Sequence, residues 1–331
     1  MDGIGVPGDV TVVDVTDPDL GAVDERALPG VVVAVSRGAS PDTATVRAWF
    51  DHATVSLTEE AAPDPRLVRV DSVEAALAAI TDNVARHPIA AAVCDDILRA
   101  DSGRASTLSG LITESLAYST LQGGPEFAAW LAEQGPRKLH TQDDPVLLDR
   151  DGGSLDITFN SPQRHNAFSN SLRAGLIDGL TVALADPTIG TVTLRGNGRS
   201  FCSGGDLVEF GTLTDPANSH LARTRHSPAL LLDALTARLG PRNRAAVHGA
   251  VLGSGLEMAA FCGHVTALPD TIFGLPELTL GLVPGAGGTV SIPRRIGRWR
   301  TAFLVLSGQQ VDAATALDWG LVDEIDGQPR G

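Results

Sequence analysis

The sequence predicts an α/β protein in two units, an N-terminal one over residues 1–143 and a C-terminal one over residues 144–331. Three observations carry this. Short apolar runs alternate with stretches whose apolar residues recur at helical spacing. A polar stretch with proline and a glycine pair, residues 136–153, divides the chain, and the pattern changes after it. The 331 residues are 43% apolar and 20% charged, enough to pack two domains rather than remain disordered.

In the first unit, residues 1–30 are rich in Asp, Gly and Pro and read as an irregular lead-in. Residues 31–35 read as a buried strand, and Asp42 or Thr43 caps a short helix reaching Phe50. Residues 67–70 read as a second strand. Ser72 then caps a helix with Val73, Ala76, Leu77, Ile80 and Val84 on one face, ended by Pro88. The flanks of residues 89–94 favour a strand, with helix as the alternative. Residues 105–134 carry two helical patterns, one on Leu108, Leu111, Ile112 and Leu116, the other on Phe127, Trp130 and Leu131. His87 and Asp95-Asp96 qualify as functional only by residue type, and solvated loop residues are the simpler reading.

In the second unit, Leu155, Ile157 and Phe159 alternate as a half-buried strand. Ser169 or Asn170 caps a helix striped by Leu172, Leu176, Leu180 and Leu184, and residues 189–195 form the next strand. This is a strand–helix–strand crossover with a parallel pair. Residues 201–207 form a glycine loop opening into a helix. A polar insertion with His220 and His226 precedes a leucine-rich helix at 229–239, and one or two helices around Trp319 close the chain.

A net charge of −15 argues against nucleic acid and anionic membrane surfaces as partners. Cys94, Cys202 and Cys262 are far apart and lack metal-ligand spacing, which suits a reducing cytoplasm. The N-terminus lacks the basic-then-apolar pattern of a signal peptide, and no apolar run approaches the ~18–20 residues of a membrane span.

The chemistry concentrates in residues 244–288. An apolar run turns through Gly249, Gly253 and Gly255 into a helical pattern carrying Glu257. Glu277 follows in a Leu-Pro-Glu turn, and a glycine-rich loop runs from 285 to 288. A strand, a glycine turn and a helix N-terminus favour developing negative charge, because the first helical amides are unpaired. Gly204-Gly205 forms a second such turn, and two converging N–H groups make an oxyanion hole for an enolate. Glu257 and Glu277 then divide acid and base roles. Structural readings stand beside these. Ser254-x-x-Glu257 matches a helix capping box, Glu277 reads as an exposed loop acid, and His248 as a strand-end histidine. Other chemistries fit less well. Tyr118 and Lys138, the sole tyrosine and lysine, cannot form the Tyr-x-x-x-Lys pair of short-chain dehydrogenases. Leu252 also breaks the Gly-x-Ser-x-Gly elbow of hydrolases.

From about 155 to 325 the chain resembles the crotonase, or enoyl-CoA hydratase/isomerase, superfamily. Five segments carry the resemblance in order: PQRHNAF at 162–168, FCSGGDL at 201–207, HGAVLGSGLE at 248–257, FGLPE at 273–277 and GLVPGAGGT at 281–289. The resemblance implies a ββα spiral core, here with an added N-terminal α/β domain and a shortened C-terminus. It implies oxyanion donors at Gly205 and Ser254 and a catalytic acid pair at Glu257 and Glu277. It places an acyl-CoA along Arg164, His165, Ala167, Phe168, Ser203, Gly204, Asp206 and Leu207, with no metal and no cofactor beyond the substrate's coenzyme A. It further implies a homo-oligomer, a trimer or hexamer. Both acids favour hydration of a 2-enoyl-CoA; isomerisation, C–C bond hydrolysis, or acyl-CoA binding without turnover are the alternatives.

Three features depart from the family pattern. Ser254 stands where hydratases commonly have glycine. Gly263-His264 replaces a Cys-Asp type continuation. The helices that usually follow the Trp-Gly-Leu-Val-Asp segment, and cover the site, have no counterpart after residue 331. The N-terminal unit, as lid or assembly domain, is expected to cover the cleft instead.

Overall fold

β1 (Thr11–Asp14) pairs in parallel with β2 (Val32–Ser36), inside the stretch expected to be irregular. Its TVVD run is β-branched but only partly buried, so it carries no clear period of two. The computed structural model describes residues 8–24, 30–61, 64–100, 106–135, 138–139 and 143–327. α1 (Ala44–His52) starts at Thr43, whose side chain accepts the Val46 N–H. β3 (Val55–Thr58), not anticipated, and β4 (Leu67–Arg69) complete a parallel sheet in the order β1-β2-β3-β4.

α2 (Val73–Arg86) begins at its Ser72 cap as expected. The strand favoured at 89–94 is instead part of α3 (Pro88–Ala100). Proline suits a first helical position, and the Ile89 and Ala90 amides donate to the Glu126 carboxylate at 2.7 and 3.0 Å. Ala90, Ala91, Cys94, Ile97 and Leu98 then bury one helical face. α4 (Thr107–Gln122) and α5 (Pro125–Glu133) follow.

The stretch read as a linker contains β5 (Val146–Asp151), antiparallel to β6 (Ser154–Phe159). α6 (Asn170–Ala185) crosses from β6 to the parallel β7 (Thr191–Gly196), the expected crossover. The helix expected after Gly205 is a turn at 207–211, and α7 (Pro216–Arg225) starts only at its Asp215 cap. α8 (Ala229–Leu239) precedes the focal stretch, which folds as β8 (Asn243–Val247), β9 (Ala250–Leu252), α9 (Ser254–Ala259), β10 (His264–Ala267) and β11 (Ile272–Gly274). α10 (Gly288–Ser307), β12 (Val311–Asp312), α11 (Ala313–Trp319) and β13 (Glu324–Ile325) end the described chain. One sheet runs β13-β10-β8-β7-β6-β5 and a smaller one β12-β11-β9.

One apolar core joins the two halves. It holds Leu57, Ile80, Cys94 and Phe127 together with Phe159, Leu176, Phe201 and Leu304. A second, small core around Val32, Phe50 and Leu67 fills the other side of the first sheet. α10 is the shared support, with α2, α3, α4 and α9 packed against it. Polar contacts lace it to the first half. Trp299 Nε1 donates to Phe50 O at 2.7 Å, and Arg294 to Thr107 Oγ1 at 2.9 Å. Asn83 Nδ2 donates to Leu306 O and Ser307 O at 3.0 and 2.9 Å, capping the end of α10 from α2. Among the described residues no helix is long and apolar enough to cross a membrane.

Asn83→Ala leaves those two carbonyls without their donor. It is expected to lower stability by about 1–2 kcal/mol in urea denaturation. An unchanged midpoint would show that the cap contributes nothing.

Candidate active site

The two glycine turns meet backbone on backbone. Leu252 N–H donates to Cys202 O at 3.0 Å and Cys202 N–H to Ala250 O at 3.2 Å, joining β9 to the 201–207 loop. A Cβ on Gly255 would collide with Cys202 O, so only glycine fits there. On the far side of the loop, Phe168 N–H donates to Gly204 O and Asp206 N–H to Phe168 O, at 2.8 and 3.2 Å. In a parallel bridge of this kind the amide of the middle residue, Gly205, points away from its partner strand. Ser254 is the first residue of α9, so its N–H has no intrahelical acceptor. Both residues line one cavity of about 370 Å³.

Glu257 and Glu277 line the same cavity. Glu257 is 2% exposed and does not cap its own helix. Gly253 is the N-cap of α9 and makes no side-chain bond, and Ser254 Oγ is buried without a partner among the described residues, so the capping box does not form. Glu257 Oε2 instead accepts the amides of Ala286 and Gly288, both at 2.7 Å. Glu277 sits against the Gly253 turn, where a Cβ would strike its Oε1. Its Oε2 is closed off and has no hydrogen-bond donor among the described residues.

A third acid was missed by sequence reasoning. Glu114 of α4 is 2% exposed. Its Oε1 accepts Gly287 N–H at 2.8 Å, and its Oε2 accepts Thr289 N–H and Oγ1 at 2.9 and 2.8 Å. It does not line the cavity itself; it holds the loop that holds Glu257. Burial pushes Glu114 up to about 7, against the pull of the Thr289 and Gly287 donors. Burial pushes Glu277 up to about 8, with the Glu114 charge adding to it. Burial, then the charges of Glu114 and Glu277, hold Glu257 well above the ordinary carboxylate range.

The remaining expected contacts divide. Phe168 and Asp206 line the cavity, whereas Arg164, His165, Ala167, Ser203, Gly204 and Leu207 do not. Arg164 pairs with Asp206 Oδ1 at 2.5 Å, and His165 Nδ1 meets Ser200 Oγ at 3.1 Å. Ala167 N–H donates to Arg164 O at 3.1 Å, Ser203 N–H donates to His165 O at 3.0 Å, and Leu207 is exposed at the surface. Of the polar insertion, Arg223 and His226 reach the cavity. His220 instead meets Ser115 Oγ at 3.0 Å. His248 Nε2 lies 3.0 Å from Gly198 O, a strand-end role. Asp95 is buried and paired with Arg99 at 2.7 Å, so it is no loop acid. Tyr118 and Gln122 of α4 and Phe127 of α5 also form cavity wall. Among the described residues no cluster of three His, Cys, Asp or Glu groups is arranged for a metal.

Glu114→Ala strips three buried donors of their acceptor and is expected to cost about 3 kcal/mol or more in urea denaturation. A loss under about 1 kcal/mol would mean water replaces the carboxylate. The raised acids also set a pH dependence. Between about 4.3, the ordinary glutamate value, and about 8, the folded protein keeps a proton on Glu277 that the unfolded chain has released. Stability from this group is therefore full below the window and lost as pH rises through it. Melting curves from pH 5 to 9 on wild type and Glu277→Gln isolate it. The Gln variant is expected to gain relative stability toward pH 9, and parallel curves would contradict the raised value.

The enoyl-CoA hydratase/isomerase family model matches residues 149–330, more than half of the chain. The 2,3-dehydroadipyl-CoA hydratase of Escherichia coli (strain K12) is 37% identical over 183 residues, covering 54% of this chain and 68% of that protein. The Bacillus subtilis (strain 168) protein named "Probable enoyl-CoA hydratase" is 36% identical over 162 residues, 48% of this chain and 62% of its own length. A solved enoyl-CoA hydratase/carnithine racemase from Magnetospirillum magneticum superposes with a TM-score of 0.50 at 28% identity, over 56% of this chain and 68% of that one. With the glycine turns and the acid pair in the matched region, the chain belongs to the enoyl-CoA hydratase/isomerase family.

Proposed function

We propose that the protein adds water across the double bond of a 2-enoyl-CoA, or runs the reverse dehydration. The observation that carries this is the meeting of two raised carboxyl groups and two unpaired amides in one cavity. The thioester oxygen sits between the Gly205 and Ser254 N–H groups. Water attacks C3, the C2–C3 π electrons move toward the carbonyl, and the enolate oxygen takes the charge between the two amides.

The environments of the two acids divide the proton work. Two amides donate to Glu257 and oppose the rise that burial and the neighbouring acids impose, a support for its ionised form that Glu277 Oε2 lacks, so Glu257 is assigned the base that takes the water proton. Glu277 has an oxygen with no donor and a pKa pushed up to about 8, so it carries the proton delivered to C2. The pair titrates as a unit, and these roles describe its singly protonated state.

The same reading gives α4 and α5 the covering role expected of the N-terminal unit, supported by Tyr118, Gln122 and Phe127 in the cavity wall. It includes an assembly of identical subunits. Leu108, Ile112 and Leu116 support this, forming an exposed apolar stripe on α4. Cys94, Cys202 and Cys262 are free and buried, which supports a reducing compartment such as the cytoplasm.

Glu257→Gln and Glu277→Gln are each expected to slow hydration of 2-enoyl-CoA esters of graded chain length by about 100-fold or more, measured by loss of the conjugated enoyl absorbance. Wild-type rates in both variants would sink the assignment. A shifted double bond or a cleaved chain, in place of a 3-hydroxyacyl-CoA, would redirect it to isomerisation or C–C hydrolysis.

A further inference from the structure

The proposed reaction uses the acids of the cavity and leaves its cations without a role. Arg173, in the first turn of α6, lines the cavity with its guanidinium 5.5 Å from the centre of the Phe168 ring. The guanidinium has no hydrogen bond or ion pair among the described residues. The nearby Glu209 lines the same cavity and accepts the Asn170 N–H on its Oε2 at 2.8 Å. Arg223 of α7 also lines the cavity, stacked 4.2 Å from the centre of the Tyr118 ring. It donates to Ser119 Oγ and to Gln122 Oε1, both neutral acceptors, and its Nε is buried with no partner among the described residues. Burial pulls both guanidinium groups below their ordinary range.

An alkyl chain laid in this cavity would strip water from two cations and return no acceptor of its own, leaving Arg173 only the charge of the nearby Glu209. A carboxylate would offer each guanidinium the planar, charged acceptor it lacks. We propose that Arg173 and Arg223 bind an anionic group at the far end of the acyl chain, so that the substrates are ω-carboxylated acyl-CoA thioesters. This rests on the acyl-CoA reading of the cavity above. The phosphates of coenzyme A are a second source of the same negative charge, and the test separates the two.

The test measures binding of unreactive saturated esters to the full chain by calorimetry. Adipyl-CoA is compared with hexanoyl-CoA, and glutaryl-CoA with pentanoyl-CoA. Hexanoyl-pantetheine, which lacks the phosphates, reports their share. The dicarboxylic esters are expected to bind at least about tenfold tighter than their plain partners. Arg173→Met should bring that ratio to within about twofold of one, and Arg173→Lys should keep part of it. The Arg173 guanidinium makes no hydrogen bond among the described residues, so its loss breaks no side-chain network. Arg223→Met, which also loosens α7 from α4, is read beside its melting temperature. Equal binding of the two ester classes by wild type would overturn the proposal. So would an Arg173→Met loss that is equal for adipyl-CoA and hexanoyl-CoA and absent for hexanoyl-pantetheine, the pattern of a phosphate contact. Because saturated esters bind without reacting, the ratio is readable even if no enoyl ester is hydrated. Hydration with equal binding would overturn this proposal alone.

Discussion

Residues 286–289 present four consecutive backbone N–H groups at the start of α10, and two carboxylates share them in alternation. Ala286 and Gly288 donate to Glu257, Gly287 and Thr289 to Glu114. Helix N-termini leave such donors unpaired, and a local Ser, Thr or Asp side chain usually accepts one of them. Here the acceptors come from α9 and α4, remote in sequence. The interaction fixes three things at once: where α10 begins, which way Glu257 faces, and how α4 docks. Gly287 adopts φ 103°, which lets the run of amides splay toward two acids instead of one.

This constraint explains why the two halves of the chain share a core. α2, α3 and α4 all pack on α10, and the polar ties from Asn83 and Thr107 run to the same helix. The cavity is then bounded by the two glycine turns on one side and by Tyr118 and Phe127 on the other. A Cβ at Gly285 would collide with the Tyr118 ring, so the glycine-rich loop is also the seat of α4.

Much of the candidate site was legible because each of its parts is a short local pattern. The glycine turns, the two acids and their order are readable from the sequence, and the four positions expected to serve as oxyanion donors and acids, Gly205, Ser254, Glu257 and Glu277, line one cavity. What stayed hidden arises between segments. The helical pattern over 105–122 was drawn on Leu108, Leu111, Ile112 and Leu116, yet three of these are exposed, while Glu114, Ser115 and Ser119 are buried. The inner face of α4 is polar because it serves the site and α7, which inverts the apolar-inside rule from which helix faces are read. The strand favoured at 89–94 failed for a related reason, since its helical amides are capped by Glu126, remote in sequence. β3 reads VSLT, and its buried Ser56 and Thr58 break the apolar run that marks β2.

The acidity of Glu257 is consequently a property of the whole chain. Its carboxyl is held up by burial and by two neighbouring acids, of which Glu114 belongs to the first half and Glu277 to the second. The amides that oppose this shift are kept in place by Glu114 itself. Removing α4 would take away one repelling charge and at the same time free the loop that steadies Glu257, two effects of opposite sign on the same proton. The site thus needs the first half of the chain for its electrostatics as much as for its walls. Two buried acids share one short run of amides here, and the Glu277 carboxyl adds its charge to the upward shift at Glu257.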